Sequence, residues 1–205
     1  MMDLFLAALA LGFLFNAAPG AIFAESLRRG IKGGFWPAFR VQIGSLIGDF
    51  VWAVLGLGGA AALFSLPFVE MPLAFFGAGL LAYLAYGSFK DAASPLPEFS
   101  PDNAKQSSGD YAVGAGLSLS NPINITYWAG LGGTITALGI DDVTGRAFLV
   151  FLGGFMTSSV LWCLICAGFI GMTRHMVTQR AWVAINVLCG LGLGSFAVMV
   201  VVRTL

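Results

Sequence analysis

The sequence has few charged residues and few of the side chains from which catalytic and metal centres are built. Charged residues make up 10% of the 205 residues, and there is a single histidine. A soluble domain of this length needs about a quarter of its residues charged to cover its surface, so this chain is not expected to stay in water. A lone histidine cannot supply the several converging ligands of a metal site. We therefore predict a protein that is not an enzyme and has no metal and no cofactor.

Basic residues and cysteines are scarce too. Ten Lys and Arg balance ten Asp and Glu, and the basic residues are scattered between apolar runs. A nucleic-acid partner is not predicted, since it would require a gathered basic surface. The three cysteines, Cys163, Cys166 and Cys189, lie within apolar runs, which argues against extracellular disulfides.

What the chain does have is apolar residues, at 58% of the total. Six apolar segments are long enough to cross a bilayer, at about 20 residues per span and about 1.5 Å per residue. We therefore predict an all-α polytopic membrane protein with six transmembrane helices. The segments run roughly over residues 4–24, 41–64, 71–89, 111–138, 147–172 and 181–202.

One polar stretch, residues 91–110, interrupts this pattern and contains Pro95, Pro97 and Pro101. It divides the chain into a first three-helix half (1–90), a cytoplasmic linker (91–110) and a second three-helix half (111–205). Because basic residues are retained in the cytoplasm, the side with eight of the ten is predicted to be cytoplasmic, and both termini are predicted to lie outside it. These eight are Arg28, Arg29, Lys32, Arg40, Lys90, Lys105, Arg174 and Arg180.

The two halves resemble each other. Residues 41–51 can be laid on residues 150–160, which pairs Gly44 with Gly153 and Asp49 with Ser158. Such a short match can arise by chance in glycine-rich membrane helices. The two matched stretches nevertheless lie in the second span of each half, which is where an internal repeat would place them. Two tandem units of three spans must insert with opposite topology. We therefore expect two inverted repeats, the plan of many secondary transporters.

Two predicted spans contain matching interruptions. Asn16, Pro19 and Gly20 lie within span one, and Asn121, Pro122 and Asn124 lie within span four. Proline removes a backbone donor, and broken helices expose amides and carbonyls to which a zwitterion can bind. The alternative is that these are kinked helices whose prolines serve packing alone. Tyr127 and Trp128 then form either an aromatic floor of the site or an outward-facing lipid contact.

Asp49 is a carboxylate in the middle of an apolar run. An ionised carboxylate at bilayer depth costs several kcal/mol, so it is expected to face protein or water and to have a function. Gln42 and Ser45 share its helical stripe. Asp49 either loads and releases a proton or stays ionised and holds a substrate ammonium group. A purely structural buried carboxylate is the remaining alternative.

Cys163 and Cys166 form a Cys-x-x-Cys pair. In the middle of a membrane helix, without a charged neighbour, small apolar packing is favoured over redox chemistry. A membrane thiol-disulfide electron carrier remains the rival hypothesis from another functional class, and a membrane scaffold without transport activity is a third.

The motifs Pro19-Gly20, Gly44-x3-Gly48-Asp49 and Asn121-Pro122, at these distances in six spans, resemble the LysE/RhtB family of amino-acid exporters over the whole chain. The resemblance implies a bacterial inner-membrane exporter that moves amino acids outward against protons, with homo-oligomers as an expectation. Two departures stand out. Family members commonly have Pro-Gly-Pro where this chain has Ala21 after Gly20, and a basic residue where it has Ile123. The second change removes an obvious partner for Asp49 or for a substrate carboxylate.

These observations predict an exporter of amino acids or related small polar metabolites, acting as a proton-coupled antiporter by alternating access. Export of a cation or of another solute that is not an amino acid is the alternative within transport. Asp49 is the predicted proton-coupling group. The predicted substrate site consists of Asn16, Pro19, Gly20, Gln42, Ser45, Asp49, Asn121, Pro122, Asn124 and Ser158.

Overall fold

The computed structural model describes residues 1–17, 20–57, 67–97, 108–121, 124, 128 and 146–204. Within these residues all regular structure is helical, so the predicted all-α class is confirmed. A single 3-10 turn, Arg174–Met176, precedes the last helix. The helices are α1 Met2–Ala17, α2 Ala21–Gly33, α3 Phe35–Leu57, α4 Pro67–Ala92, α5 Ser108–Leu119, α6 Arg146–Thr173 and α7 Gln179–Thr204.

Several helices have the length and composition of membrane spans. Phe35–Gly56, Arg146–Met176 and Gln179–Val202 each qualify alone, and α1 with α2 qualifies as a bent pair. The chain is therefore a membrane protein, with three or four candidate spans in the described residues rather than the six predicted. The predicted third span lies within α4, which has Pro72 in its interior. Of the predicted fourth span, α5 covers the start, and residues 129–138 lie outside the described part.

The predicted interruption of span one is present. Helix α1 ends at Ala17, α2 begins at Ala21, and the two helices are bent by 66°. Gly20 is the residue before α2 and has an extended backbone that any residue can adopt. The first predicted apolar segment ends at residue 24, but the helix that contains its end runs on to Gly33. Helix α2 continues because Glu25 pairs with Arg28 and Arg29, three and four residues further along the same helix.

Two pairs of helices pack in parallel. In the first pair, α1 lies along α6, and Asn16 donates to Ser159 across this interface. In the second, α3 lies along α5, with Gly44 against Tyr111 and Trp52 bonded to Ser118. Glycine lets these backbones approach closely, as small residues commonly do in membrane helices.

The remaining long helices complete the bundle. Helices α4 and α7 are antiparallel, since Trp182 near the start of α7 bonds to Asp91 at the end of α4. Helix α3 also packs on α6, and these two helices contribute Trp52 and Phe155 to one buried cluster. α3 is therefore enclosed by α5 on one side and α6 on the other, which places Asp49 inside the bundle.

Replacing Gly114 by Ala is expected to destabilise the protein. A Cβ at this position would collide with the Val41 carbonyl oxygen across the α3–α5 interface, and overpacking of this kind costs about 1–3 kcal/mol. Gly153→Ala is the matched control, since a Cβ there meets no atom within 4 Å. Thermal unfolding of the purified variants should show a lower Tm for Gly114→Ala alone. Equal Tm values for the two variants would contradict the packing described here.

Candidate functional site

The Asp49 carboxylate lies at the interface of α3 and α5 and is held there by two neutral donors. Its exposed fraction is 2%. Ser118 Oγ donates to Asp49 Oδ1 over 2.8 Å, and Asn124 Nδ2 donates to the same oxygen over 3.1 Å. Within the described part of the chain, no Lys, Arg or His forms an ion pair with Asp49. A buried carboxylate held only by neutral donors can accept a proton or attract a cation.

The end of α5 is built to deliver these donors. A Cβ on Gly48 would collide with Ser118, so only glycine lets the Ser118 side chain reach this depth. Helix α5 ends at Leu119, and the Ser118 carbonyl accepts from Trp52 Nε1 over 3.2 Å and from Asn124 Nδ2 over 3.3 Å. Side chains therefore provide hydrogen-bond donors for a carbonyl at this helix end. A helix that is interrupted before Pro122, as predicted, needs such donors because its last carbonyls have no partner within the helix.

A second polar contact joins α1 and α6. Asn16 Nδ2 donates to Ser159 Oγ over 2.9 Å and to the Gly12 carbonyl of its own helix over 2.6 Å. Ser158 is buried beside it, where a Cβ on Gly12 would collide with the Ser158 hydroxyl. Asn16 and Ser158 thus lie at one interface, and Asn124 and Asp49 at the other.

Aromatic side chains fill the space between these interfaces. Phe155 packs edge-on against Trp128, with 4.7 Å between ring centroids, and contacts Phe15 at 5.7 Å. Trp128 and Phe155 are fully buried in the cluster that also contains Trp52. The lipid-facing alternative for Trp128 is therefore wrong, and this side chain belongs to the interior. Tyr127 lies outside the described residues.

The other predicted site residues are placed elsewhere or are not described. Gln42 Nε2 donates to Cys166 Sγ over 3.3 Å, and Ser45 Oγ donates to the Gln42 carbonyl over 2.7 Å. The Gln42 bond joins α3 to α6 about two turns from Asp49, and the Ser45 bond stays within α3. Asn121 Nδ2 donates to Asn124 Oδ1 over 3.4 Å. Pro19 and Pro122 lie outside the described residues.

Gly20 borders an apolar cavity of about 310 Å³ between α2 and α7. Among the described residues, no side chain caps the amide groups of the first turn of α2. The cavity is lined by Gly20, Ala21, Phe23, Ala24, Leu27, Ile185, Leu188, Cys189, Gly192, Leu193 and Phe196.

All three cysteines are buried free thiols. Cys163 and Cys166 are three residues apart on α6, and Cys166 accepts the bond from Gln42. They contribute to helix packing, as small apolar side chains do.

Two features were not predicted from the sequence. Ser118 was not proposed as a partner of Asp49, although it is a buried polar residue just before the Asn121-Pro122 motif. Glu25 was also overlooked. Its exposed fraction is 0%, and it pairs with Arg28 and Arg29. The spacing of three and four residues between an acid and two bases was the available signal.

Comparison with known proteins agrees with this architecture. The model of the LysE type translocator family matches residues 13–204 of the chain. The chain belongs to the LysE type translocator family. LysE family members are transporters rather than enzymes, and the described helices are those of a membrane protein.

Two curated relatives match nearly the whole chain. The chemotactic transduction protein ChpE of Pseudomonas aeruginosa is 45% identical over 202 residues, covering 96% of this chain and 98% of the relative. The putative amino acid efflux protein YcgF of Bacillus subtilis is 26% identical over 195 residues, covering 95% and 93%. No solved structure matches the chain.

Replacing Ser118 by Ala is expected to destabilise the Asp49 site. The change removes one of two donors from a buried carboxylate, and such a loss costs about 1–3 kcal/mol. Ser120→Ala is the matched control, because the Ser120 hydroxyl donates only to Gly116 of its own helix in the described contacts. The measurement is Tm of the purified variants, and the contact is refuted if Ser118→Ala is no less stable than Ser120→Ala.

Proposed function

We propose that this translocator is a secondary exporter of amino acids or related small polar metabolites. The observation that carries the proposal is Asp49, a buried carboxylate whose described partners are the neutral donors Ser118 and Asn124. Transport is proposed to be proton-coupled antiport by alternating access. The printed name of YcgF, an amino acid efflux protein, supports the substrate class.

The chemistry of Asp49 supports a coupling role. Two hydrogen bonds do not neutralise a carboxylate, and burial strongly disfavours its charged form. Binding of a proton or of a substrate ammonium group to Asp49 is therefore favourable. If both compete for Asp49, arrival of the proton releases the ammonium group, which is how one carboxylate couples two opposed fluxes.

A substrate carboxylate is proposed to bind at the interrupted first span. The first turn of α2 offers backbone amides that no side chain caps, and the positive end of the helix dipole favours an anion. Asn16, Pro19 and Gly20 from the first half would then form one wall of the site. Asn121, Pro122 and Asn124 would form the other, with Gln42, Ser45 and Ser158 lining the space between them.

The proposed inverted repeat is supported by the pattern of helix contacts. In such a repeat, α1 corresponds to α5, α3 to α6 and α4 to α7. The α1–α6 contact then has the α3–α5 contact as its counterpart, and the α4–α7 contact is its own counterpart. All three pairs pack extensively. An asparagine amide bonds a polar side chain at both interfaces, Asn16 to Ser159 at one and Asn124 to Asp49 at the other. Asp49 is the charged member of this set.

The contacts favour a repeat register one residue away from the sequence alignment. Gly153 is aligned with Gly44 in the sequence, but a Cβ added to Gly153 would meet no atom within 4 Å. Gly154 instead packs against the Phe5 backbone, as Gly44 packs against the Tyr111 backbone. In this register Asp49 corresponds to Ser159 rather than to Ser158. Family membership supports a place in the bacterial inner membrane, and the distribution of Lys and Arg would put both termini outside the cytoplasm.

Transport by reconstituted protein tests the proposal. Proteoliposomes with an imposed pH gradient should move at least one labelled amino acid from a panel, and Asp49→Asn should lower gradient-driven transport at least about tenfold. The matched control is Asp3→Asn, which neutralises an exposed acid in the first turn of α1. The proposal is wrong if the wild-type protein moves no amino acid at any gradient, or if both variants transport equally.

The cysteines give a separate test against electron transfer. Cys163→Ala combined with Cys166→Ser removes the thiol pair and keeps an acceptor for Gln42. Transport by this variant should equal that of the wild type, because packing needs no thiol chemistry. Loss of transport in a variant that still folds, as judged by its elution from a sizing column, would favour the redox hypothesis.

A further inference from the structure

A network of buried ion pairs closes one end of the helical bundle. Its centre is Glu25 on α2, whose carboxylate binds two arginines. Glu25 Oε1 accepts from Arg28 Nη2 over 2.7 Å and from Arg29 Nε over 2.5 Å, and Glu25 Oε2 accepts from Arg28 Nε over 2.9 Å. The two guanidinium groups are thereby fixed in orientation, and the Nη1 of each remains for an acid on another helix.

Those nitrogens reach the two ends of the linker between the halves. Arg28 Nη1 pairs with Asp91 at the end of α4, and Arg29 Nη1 donates to Asp110 Oδ1 in the first turn of α5 over 2.5 Å. Lys32 also pairs with Asp91, at 2.5 Å. Adjacent residues of α2 therefore hold the first and the last residue of the linker.

Two more helices join the network. Arg40 Nη1 of α3 lies 3.4 Å from Asp110 Oδ2, and Trp182 Nε1 of α7 donates to the Asp91 carbonyl over 3.0 Å. Five helices, α2 to α5 and α7, thus meet at one end, which is the end that we assign to the cytoplasm. We call this group of seven charged residues the clamp; it consists of Glu25, Arg28, Arg29, Lys32, Arg40, Asp91 and Asp110.

The clamp lies on the route from the cytoplasm to Asp49. Arg40 precedes Asp49 by nine residues on α3, or about 13 Å at about 1.5 Å per residue. Ser45 lies between them and is buried. A solute that reaches Asp49 from this end must therefore pass the level at which Asp110 bonds Arg29 and Arg40.

We propose that the clamp is the cytoplasmic gate of this transporter, closed in this structure, and that it opens when Asp110 of α5 separates from Arg29 of α2 and Arg40 of α3. This inference rests on the proposed transport function. Buried ion pairs suit a gate because both charges regain water when they part, so the free-energy difference between closed and open states stays small. Glu25 keeps the two arginines in place, so the gate can close again.

The test uses a reporter cysteine placed between the clamp and Asp49. Ser45→Cys is introduced into protein carrying Cys163→Ala, Cys166→Ser and Cys189→Ala, and a membrane-impermeant maleimide is applied from each side of sealed vesicles. Asp110→Asn should raise the labelling rate from the cytoplasmic side about tenfold and should not raise it from the other side. Asp110→Glu keeps the carboxylate and should label as the parent does.

A purely structural role for the clamp predicts a different result. Loosening of the whole fold would raise labelling from both sides, and that outcome, or unchanged labelling in Asp110→Asn, would overturn the gate. If Asp110→Asn does not fold, the partly exposed Arg29→Gln replaces it with the same expectation. If the wild-type protein transports amino acids but Asp110→Asn does not change the labelling, the gate alone is rejected. If Asp110→Asn raises labelling from the cytoplasmic side but the wild-type protein transports no amino acid, the proposed substrate class alone is rejected.

Discussion

The close contact between α3 and α5 is the constraint on which the rest of the structure depends. Burying the Asp49 carboxylate would cost several kcal/mol without partners, and both of its described donors come from α5 or the segment just after it. Those donors reach it because Gly44, Gly48 and Gly114 leave no side chain between the helices. Any movement that parts α3 from α5 removes donors from Asp49. The proposed coupling of conformation to the protonation or occupancy of this carboxylate rests on this contact.

The chain distributes its polar residues between two levels. At the level of Asp49 the described partners are neutral, so a proton or an ammonium group can change the charge of the site. At the clamp every acid is paired with bases, and the charges hold helices together instead of binding a passing ion. The difference between the two levels reflects the cost of burying charge. A buried charge without an ionic partner is tolerated only where it has a function. Asp110, which contacts α2 and α3 from the start of α5, links the two levels.

Local features of this fold were predictable from the sequence, and contacts between distant segments were not. Apolar runs predicted the helices, the proline motif predicted the break between Ala17 and Ala21, and the cost of burial singled out Asp49. The sequence placed Asn124 in the same site as Asp49 but did not indicate their direct contact, because that depends on where α5 ends. The sequence predicted only that Arg28 and Arg29 lie on the cytoplasmic side, since charge counts do not reveal that a buried Glu25 pairs with both. The sequence also could not distinguish the adjacent Gly153 and Gly154, of which Gly154 packs against α1, because only packing separates them.

The central claim is that Asp49 is the charged group that responds to substrate. Infrared difference spectroscopy measures this directly, by comparing reconstituted protein with and without an amino acid that it transports. If Asp49 responds to substrate, the C=O band of a protonated carboxylic acid, which a zwitterionic amino acid lacks, should change on substrate addition in the wild type and not in Asp49→Asn protein. A wild-type difference spectrum without a carboxyl change, or one that is identical in Asp49→Asn, would contradict the account.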